Sequence, residues 1–166
     1  KNWFIAGRRV YLKHGFTSKV LKRGSSFFRW PSWVLFIMGL TGQCNRPFQF
    51  LPLPQSSSIR KKKAKSWDKV QTCNLGVWRD DFYRVDGFDE SYVGHGLEDS
   101  DFTVRLIRSG IQRIDANHCS PVLHLYHSRS IPERADKESL NPKRFQALLE
   151  SDRHIAVQGI STRQSS

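Results

Sequence analysis

The chain has 166 residues, of which 38% are hydrophobic and 25% charged, with a formal net charge of +12. That length buries one substantial core, so a single domain is the default. Its longest apolar run, Trp33 to Leu40, falls far short of the ~20 residues that span a bilayer, so no transmembrane helix is expected.

The opening lacks a charged region followed by an apolar stretch, so no signal peptide is expected. The start at Lys1 rather than Met suggests a piece of something longer. Charge is unevenly placed: through Val70 there are 15 Lys and Arg against one acid, Asp68, and beyond it 12 against 14. Such asymmetry suits an anionic partner (a phosphorylated glycan, a membrane surface or nucleic acid) or simply a solvated basic loop. Nucleic acid has only net charge behind it, which gives salt-sensitive and non-specific affinity. Cys44, Cys73 and Cys119 are widely spaced without a CxxC. That suits free thiols in a reducing compartment, and a cytoplasmic location follows as an expectation.

In chain order, Phe4-Ile5-Ala6 and Val10-Tyr11-Leu12 read as strands on either side of Gly7-Arg8-Arg9. Thr17 serves as N-cap for a short helix, Ser18 to Arg23, stopped by Gly24. Phe27, Phe28, Trp30, Trp33 and Phe36 then read as core packing. The nearby Lys22, Arg23 and Arg29 keep a membrane-edge alternative open. The stretch from Gln43 to Lys65, with its prolines, Ser56-Ser57-Ser58 and Arg60-Lys61-Lys62-Lys63, reads as a mobile basic loop. Order resumes at Trp67, with a strand over Val70–Val77 and a helix over Trp78–Val85. A second helix carries Phe102, Leu106 and Ile107 and stops at Gly110. Strands follow at Ile111–Ile114 and Pro121–Tyr126, then a helix opened by Asn141-Pro142. Ser151 onward reads as a frayed tail.

The centre of interest is Val85 to Asp101, where Gly87, Gly94 and Gly96 break the chain before Glu98, Asp99 and Asp101 open a helix. Carboxylates are comfortable at a helix N-terminus, and capping alone can explain them. A glycine loop beside such carboxylates also leaves room for a substrate. On that reading Asp99 is the candidate general base and Glu98 a hydrogen-bonding partner for acceptor hydroxyls. Asp101, a turn deeper, suits a structural role. His127, with His124 as a second, is the candidate metal ligand, because imidazole binds borderline divalent cations. A zinc site drawn from His118, Cys119, His124 and His127 fits no established finger spacing.

Taken together, Cys73-Asn74, Arg79-Asp80-Asp81-Phe82, Val85-Asp86-Gly87-Phe88-Asp89-Glu90, Gly94-His95-Gly96-Leu97, Glu98-Asp99-Ser100-Asp101 and His124-Leu125-Tyr126-His127 resemble the acceptor-side, C-terminal half of a glycosyltransferase family 2 enzyme. The region is also similar to the C-terminal part of the β-1,4-galactosyltransferases, through His127-Ser128-Arg129 and Asn141-Pro142-Lys143-Arg144-Phe145. The stretch Gly7 to Leu12 is similar to the middle region of bacterial enzymes that extend lipopolysaccharide core or capsule.

The resemblance implies an α/β fold, the C-terminal part of a GT-A domain, with a mixed sheet and flanking helices and without its nucleotide-binding half. It divides the chain into a middle region of the transferase domain (1–42), a flexible basic loop (43–66), an acceptor- and metal-binding part (67–150) and a tail (151–166). Asp99 would be the catalytic base. Glu98, His95, Gly96 and Asp101 would bind the acceptor, and Cys73 and Asn74 would lie on the donor side. His127 and His124 would hold a divalent metal, Mn or Mg. The implied partners are a nucleotide-sugar donor and a glycan or glycolipid acceptor, with peripheral contact at an inner membrane. His95 and Leu97 stand where relatives often carry Trp and Gly. The family's Asp-x-Asp motif precedes the matched region, and no acidic pair occurs before Asp68, so the isolated chain is expected to be inactive. A non-catalytic glycan- or anionic-lipid-binding module is the alternative.

Overall fold

The structure, a computed structural model, describes residues 2–24, 29–52, 54, 58–94, 96–128 and 140–164. It is of the expected α/β class, with a small mixed sheet, a second parallel pair and flanking helices. Strand β1 (Trp3–Ala6) is central, parallel to β4 (Gln112–Asp115) and antiparallel to β3 (Leu75–Gly76). Side chains two apart share a sheet face. Phe4 and Ala6 accordingly bury together against Val85, Phe102, Leu106 and Ile111.

Strand β2 (Arg9–Tyr11) pairs in parallel with β5 (Val122–His124), setting Tyr11 opposite His124. Gly7 links β1 to β2 where no side chain fits, since a Cβ would meet the Asn74 amide. Val10 heads a second core with Leu12, Phe16, Val20, Cys44 and Phe50.

Helix α1 (His14–Arg23) starts four residues earlier than its sequence suggests. Lys13 ends the strand in an extended conformation, and Thr17 is a buried interior residue whose Oγ1 accepts the Tyr126 N–H at 2.8 Å. The stop at Gly24 holds. Helix α2 (Ser32–Leu40) divides the expected aromatic core. Leu35, Phe36 and Met38 pack inward, whereas Trp33, Ile37 and Leu40 are exposed; Phe27 and Phe28 lie outside the described residues.

Part of the stretch read as a mobile basic loop is anchored. Cys44 bridges to Leu12, Pro47–Phe50 forms a 3-10 turn with Phe50 buried, and Arg60 Nε donates to the Asp115 carbonyl at 3.0 Å. The strand expected over Val70–Val77 shrinks to β3, because Thr72–Asn74 is a 3-10 turn.

Helices α3 (Arg79–Arg84), α4 (Glu98–Arg108) and α5 (Asn141–Glu150) lie where periodicity puts them. Arg108, in the last turn of α4, donates to the carbonyls of Leu148 and Leu149 at the end of α5. It supplies partners for carbonyls that a helix C-terminus leaves open. The residues after Ser151 are not a frayed tail. They fold back onto the molecule and end in α6 (Ile160–Gln164), held by charged groups described next.

Candidate active site

The glycine-rich stretch and the first turn of α4 together carry six carboxylates, and the structure sorts them. Asp86 accepts the Ser161 N–H at 2.9 Å and its hydroxyl at 2.7 Å. Asp89 accepts the Val157 N–H at 2.8 Å and pairs with Arg153 at 2.9 Å, and Glu90 pairs with Arg163 at 2.6 Å. These three hold the chain's last described residues, which is why 153–163 do not fray. Burial pushes the Asp89 carboxyl up, but hydrogen bonds from Val157, Ser91 and Arg153 outweigh it and leave it at about 2.

Asp101 is fully buried. It binds Arg105 Nε at 2.6 Å, accepts the Tyr92 hydroxyl at 3.2 Å and lies 3.5 Å from Arg153. Burial and the Asp101 charge together push the Tyr92 phenol up. Arg105 in turn donates to the carbonyls of Val85 and Gly87, fastening the loop to the helix. The acceptor-binding expectation for Asp101 therefore does not fit: a saturated, fully buried carboxylate has no face left for a sugar hydroxyl.

Glu98 is half-buried, and its Oε2 accepts the Gly96 N–H at 2.7 Å, closing the loop on itself. Leu97 before it takes φ +73°, in the left-handed region. Within the stretch, Asp99 differs from the others in having a buried Oδ1 with no hydrogen-bond partner among the described residues. Polar atoms so placed usually have partners. Its neighbour across the fold is Cys73: burial pushes that thiol up, Arg9 pulls it back and the Asp99 charge adds to the rise. Asp99 and Cys73 thus share one electrostatic neighbourhood. Asn74 spends its amide on backbone, donating to the carbonyls of Arg8 at 3.3 Å and Ser120 at 2.9 Å. His95 lies outside the described residues.

His124 and His127 come together, with Nε2 atoms 3.2 Å apart. The strand ends at His124, and the irregular residues after it bring the two rings within 5.1 Å of each other, with His124 also 4.8 Å from the Tyr11 ring. Two imidazole nitrogens bound to one cation at right angles would sit ~3 Å apart, so the pair fits as two ligands. Among the described residues no third His, Cys, Asp or Glu completes a set.

The sequence reading missed the groups that frame the site. A cleft of about 410 Å³ is lined by Arg8, Tyr11, Arg46, Lys69, Gln71 and Ser100, among others. Ser100 follows Asp99 on α4, and Tyr11 touches His124, so the cleft is lined by a neighbour of each predicted centre. Arg8, Arg46 and Lys69 form no ion pair among the described residues. The acid-free first third of the chain was the available signal, but it could not say which of 15 cations would gather. Asn141 was also missed as a site residue. It is buried, and its amide donates to the carbonyls of Val93 and Gly96, pinning the glycine loop to α5.

Neither the curated proteins nor the solved structures compared with this chain returned a match. Residues 55–128 match the family model described as the N-terminal domain of galactosyltransferase. The span includes Cys73, Asn74, Asp99, His124 and His127, and it supports the galactosyltransferase side of the resemblance through a domain described as N-terminal rather than C-terminal. Over these residues the chain is similar to a galactosyltransferase-like glycosyltransferase domain.

Proposed function

We propose that this chain is the acceptor-side part of an inverting, metal-dependent glycosyltransferase that moves a hexosyl group from a nucleotide-sugar donor to a glycan or glycolipid acceptor. The observation that carries the reading is the buried Oδ1 of Asp99, unpartnered among the described residues, in the residue before Ser100 of a cationic cleft. In the transfer, an acceptor hydroxyl oxygen bonds to the anomeric carbon as the bond from that carbon to the diphosphate oxygen breaks on the opposite face. Asp99 takes the hydroxyl proton, and the nucleoside diphosphate leaves with the bonding pair. Arg8, Arg46 and Lys69 offer that anion three cations. His124 and His127 would hold a divalent cation, Mn suiting imidazole better than Mg. When bound, such a cation supplies Lewis-acid stabilisation of charge on the leaving group. The similarity of Gly7–Leu12 to enzymes of surface-polysaccharide synthesis makes a bacterial surface glycan the proposed acceptor class.

The test is Asp99→Asn in the full-length protein. A general base contributes about 10²–10⁴-fold, so kcat should fall by that factor while donor binding, read by calorimetry, stays unchanged. Retained turnover would remove Asp99 from the mechanism. Inversion is read separately from the anomeric coupling of the product by NMR.

A further inference from the structure

We infer that α2 and the turn after it form a membrane-docking surface that seats this protein on an anionic lipid bilayer. The helix reads Ser-Trp-Val-Leu-Phe-Ile-Met-Gly-Leu, without a charged residue. Leu35, Phe36 and Met38 are spent on the second core. Trp33, Ile37 and Leu40 follow at i, i+4 and i+7, so they share one helix face, and they are 63%, 50% and 58% exposed. Phe48, itself 61% exposed, stands on the neighbouring 3-10 turn with its ring 5.7 Å from Phe36. Gly39 permits the close approach of that turn, because a side chain there would run into Pro47 and Cys44. Three large apolar side chains exposed on one helix face, with a fourth on the adjoining turn, call for a covering surface.

Charge identifies the cover. At the N-terminal end of α2, Arg23 lies over the Trp30 ring at 5.2 Å, and Arg29 is exposed. Past the C-terminal end, the exposed Lys13 places its ammonium beside Gly42. No acidic residue precedes Asp68 anywhere in the chain. An apolar stripe with cations at both ends, in a stretch of sequence without an acid, complements lipid tails beneath anionic headgroups. A tryptophan at its edge suits the headgroup level. Another protein's apolar surface would not require so long a stretch of sequence without acids. Among the described residues no helix is long and apolar enough to cross a membrane, so the contact lies in the interface plane.

The test is co-sedimentation of the full-length protein with vesicles of equimolar phosphatidylglycerol and phosphatidylcholine, against phosphatidylcholine alone. The wild type should bind the anionic vesicles, less as salt is added, and bind neutral ones at least about tenfold more weakly. The exposed pair W33S/I37S should weaken binding at least about tenfold, and K13S/R29S should erase the preference for anionic lipid. W33F should keep the binding but lose a large share of the tryptophan quenching by brominated lipid, a readout that does not depend on the serine variants folding. Equal binding to both vesicle types, unchanged binding by W33S/I37S, or unchanged quenching in W33F would overturn the proposal. So would a wild-type dimer that W33S/I37S dissociates, because a second copy would then cover the face. None of these readouts depends on sugar transfer.

Discussion

Arg153 Nη1 lies 2.9 Å from Asp89 Oδ2, joining the segment after α5 to the loop that leads into α4. Its other amino group lies 3.5 Å from Asp101, so one guanidinium serves two carboxylates that are both almost fully buried. Removing it leaves buried negative charge undercompensated, although Asp101 keeps Arg105 and Asp89 keeps its backbone donors. Arg153→Met should therefore cost on the order of 2 kcal/mol. At this chain length that lowers the calorimetric Tm by about 4–8 °C. A Tm within a degree of the wild type would show the pair to be incidental.

Asp89 also sets an acid limit on stability. Its folded carboxyl sits at about 2, whereas an unfolded aspartate titrates near 4. The depressed value favours the folded state above the unfolded pKa, and that contribution disappears as pH falls from about 4 through about 2. The expected loss over this window is about 2.5 kcal/mol, since each pH unit between the two values is worth about 1.4 kcal/mol. Asp89→Asn should flatten the pH dependence of unfolding free energy between pH 4 and 2, relative to wild type. A parallel pair of curves would contradict the assignment.

Helices α3, α4 and α5 were legible in the sequence because each depends on local pattern. Helices α2 and α6 were not expected, and α1 starts earlier than its pattern suggests. The repeat Phe102, Leu106 and the stop at Gly110 fix α4 without tertiary help. Long-range partners were not legible. Asp86, Asp89 and Glu90 look like loop acids near a substrate until Ser161, Val157 and Arg163 are seen to face them, some 70 residues away. The same blindness turned the residues from Ser151 onward into a tail, whereas the acceptor role of Asp101 came from the family resemblance and its depth in the helix had already suggested a structural one. Exposure on a short apolar helix is likewise unreadable, since Trp33 and Phe36 differ only in which side of α2 meets the core. The pairing of His124 with His127 was legible, because a strand end followed by a short turn limits how far the two can separate.

Asp99 and Asp101 stand two residues apart with opposite expected responses. Asp101→Asn removes the charge facing a fully buried Arg105 and should destabilise the fold by about 3–5 kcal/mol. Asp99→Asn, at a half-buried position without an ion pair among the described residues, should change stability by less than about 1 kcal/mol. Chemical denaturation of the two variants separates them. If Asp99→Asn were the more destabilising, its carboxylate would be structural and the base would have to be sought elsewhere.

Asn141 tests whether loop geometry matters to chemistry. Its amide holds the carbonyls of Val93 and Gly96, and its Oδ1 accepts the Val93 N–H at 3.2 Å. Asn141→Asp keeps the size and the acceptor but removes the two donors. On the proposed mechanism it should raise KM for the acceptor severalfold while leaving donor affinity unchanged, because the Gly94–Gly96 turn precedes Asp99 directly. A change confined to donor affinity would place the loop on the other side of the reaction.

The imidazole pair gives the metal proposal a readout independent of turnover. With Nε2 atoms 3.2 Å apart, His124 and His127 can bind one cation jointly, and two ligands acting together lose more than half of their benefit when either is removed. Mn binding, followed by the loss of the free-ion electron paramagnetic resonance signal, should weaken by at least about tenfold in His127→Ala and again in His124→Ala. The double variant should be little worse than either single one, because the two act as a chelate. His127→Gln retains a neutral side chain of similar reach but binds borderline cations poorly, so it should resemble the alanine variant. Equal Mn affinity in the wild type and all four variants would leave the 3.2 Å spacing as a hydrogen bond between two rings and remove them from any metal centre.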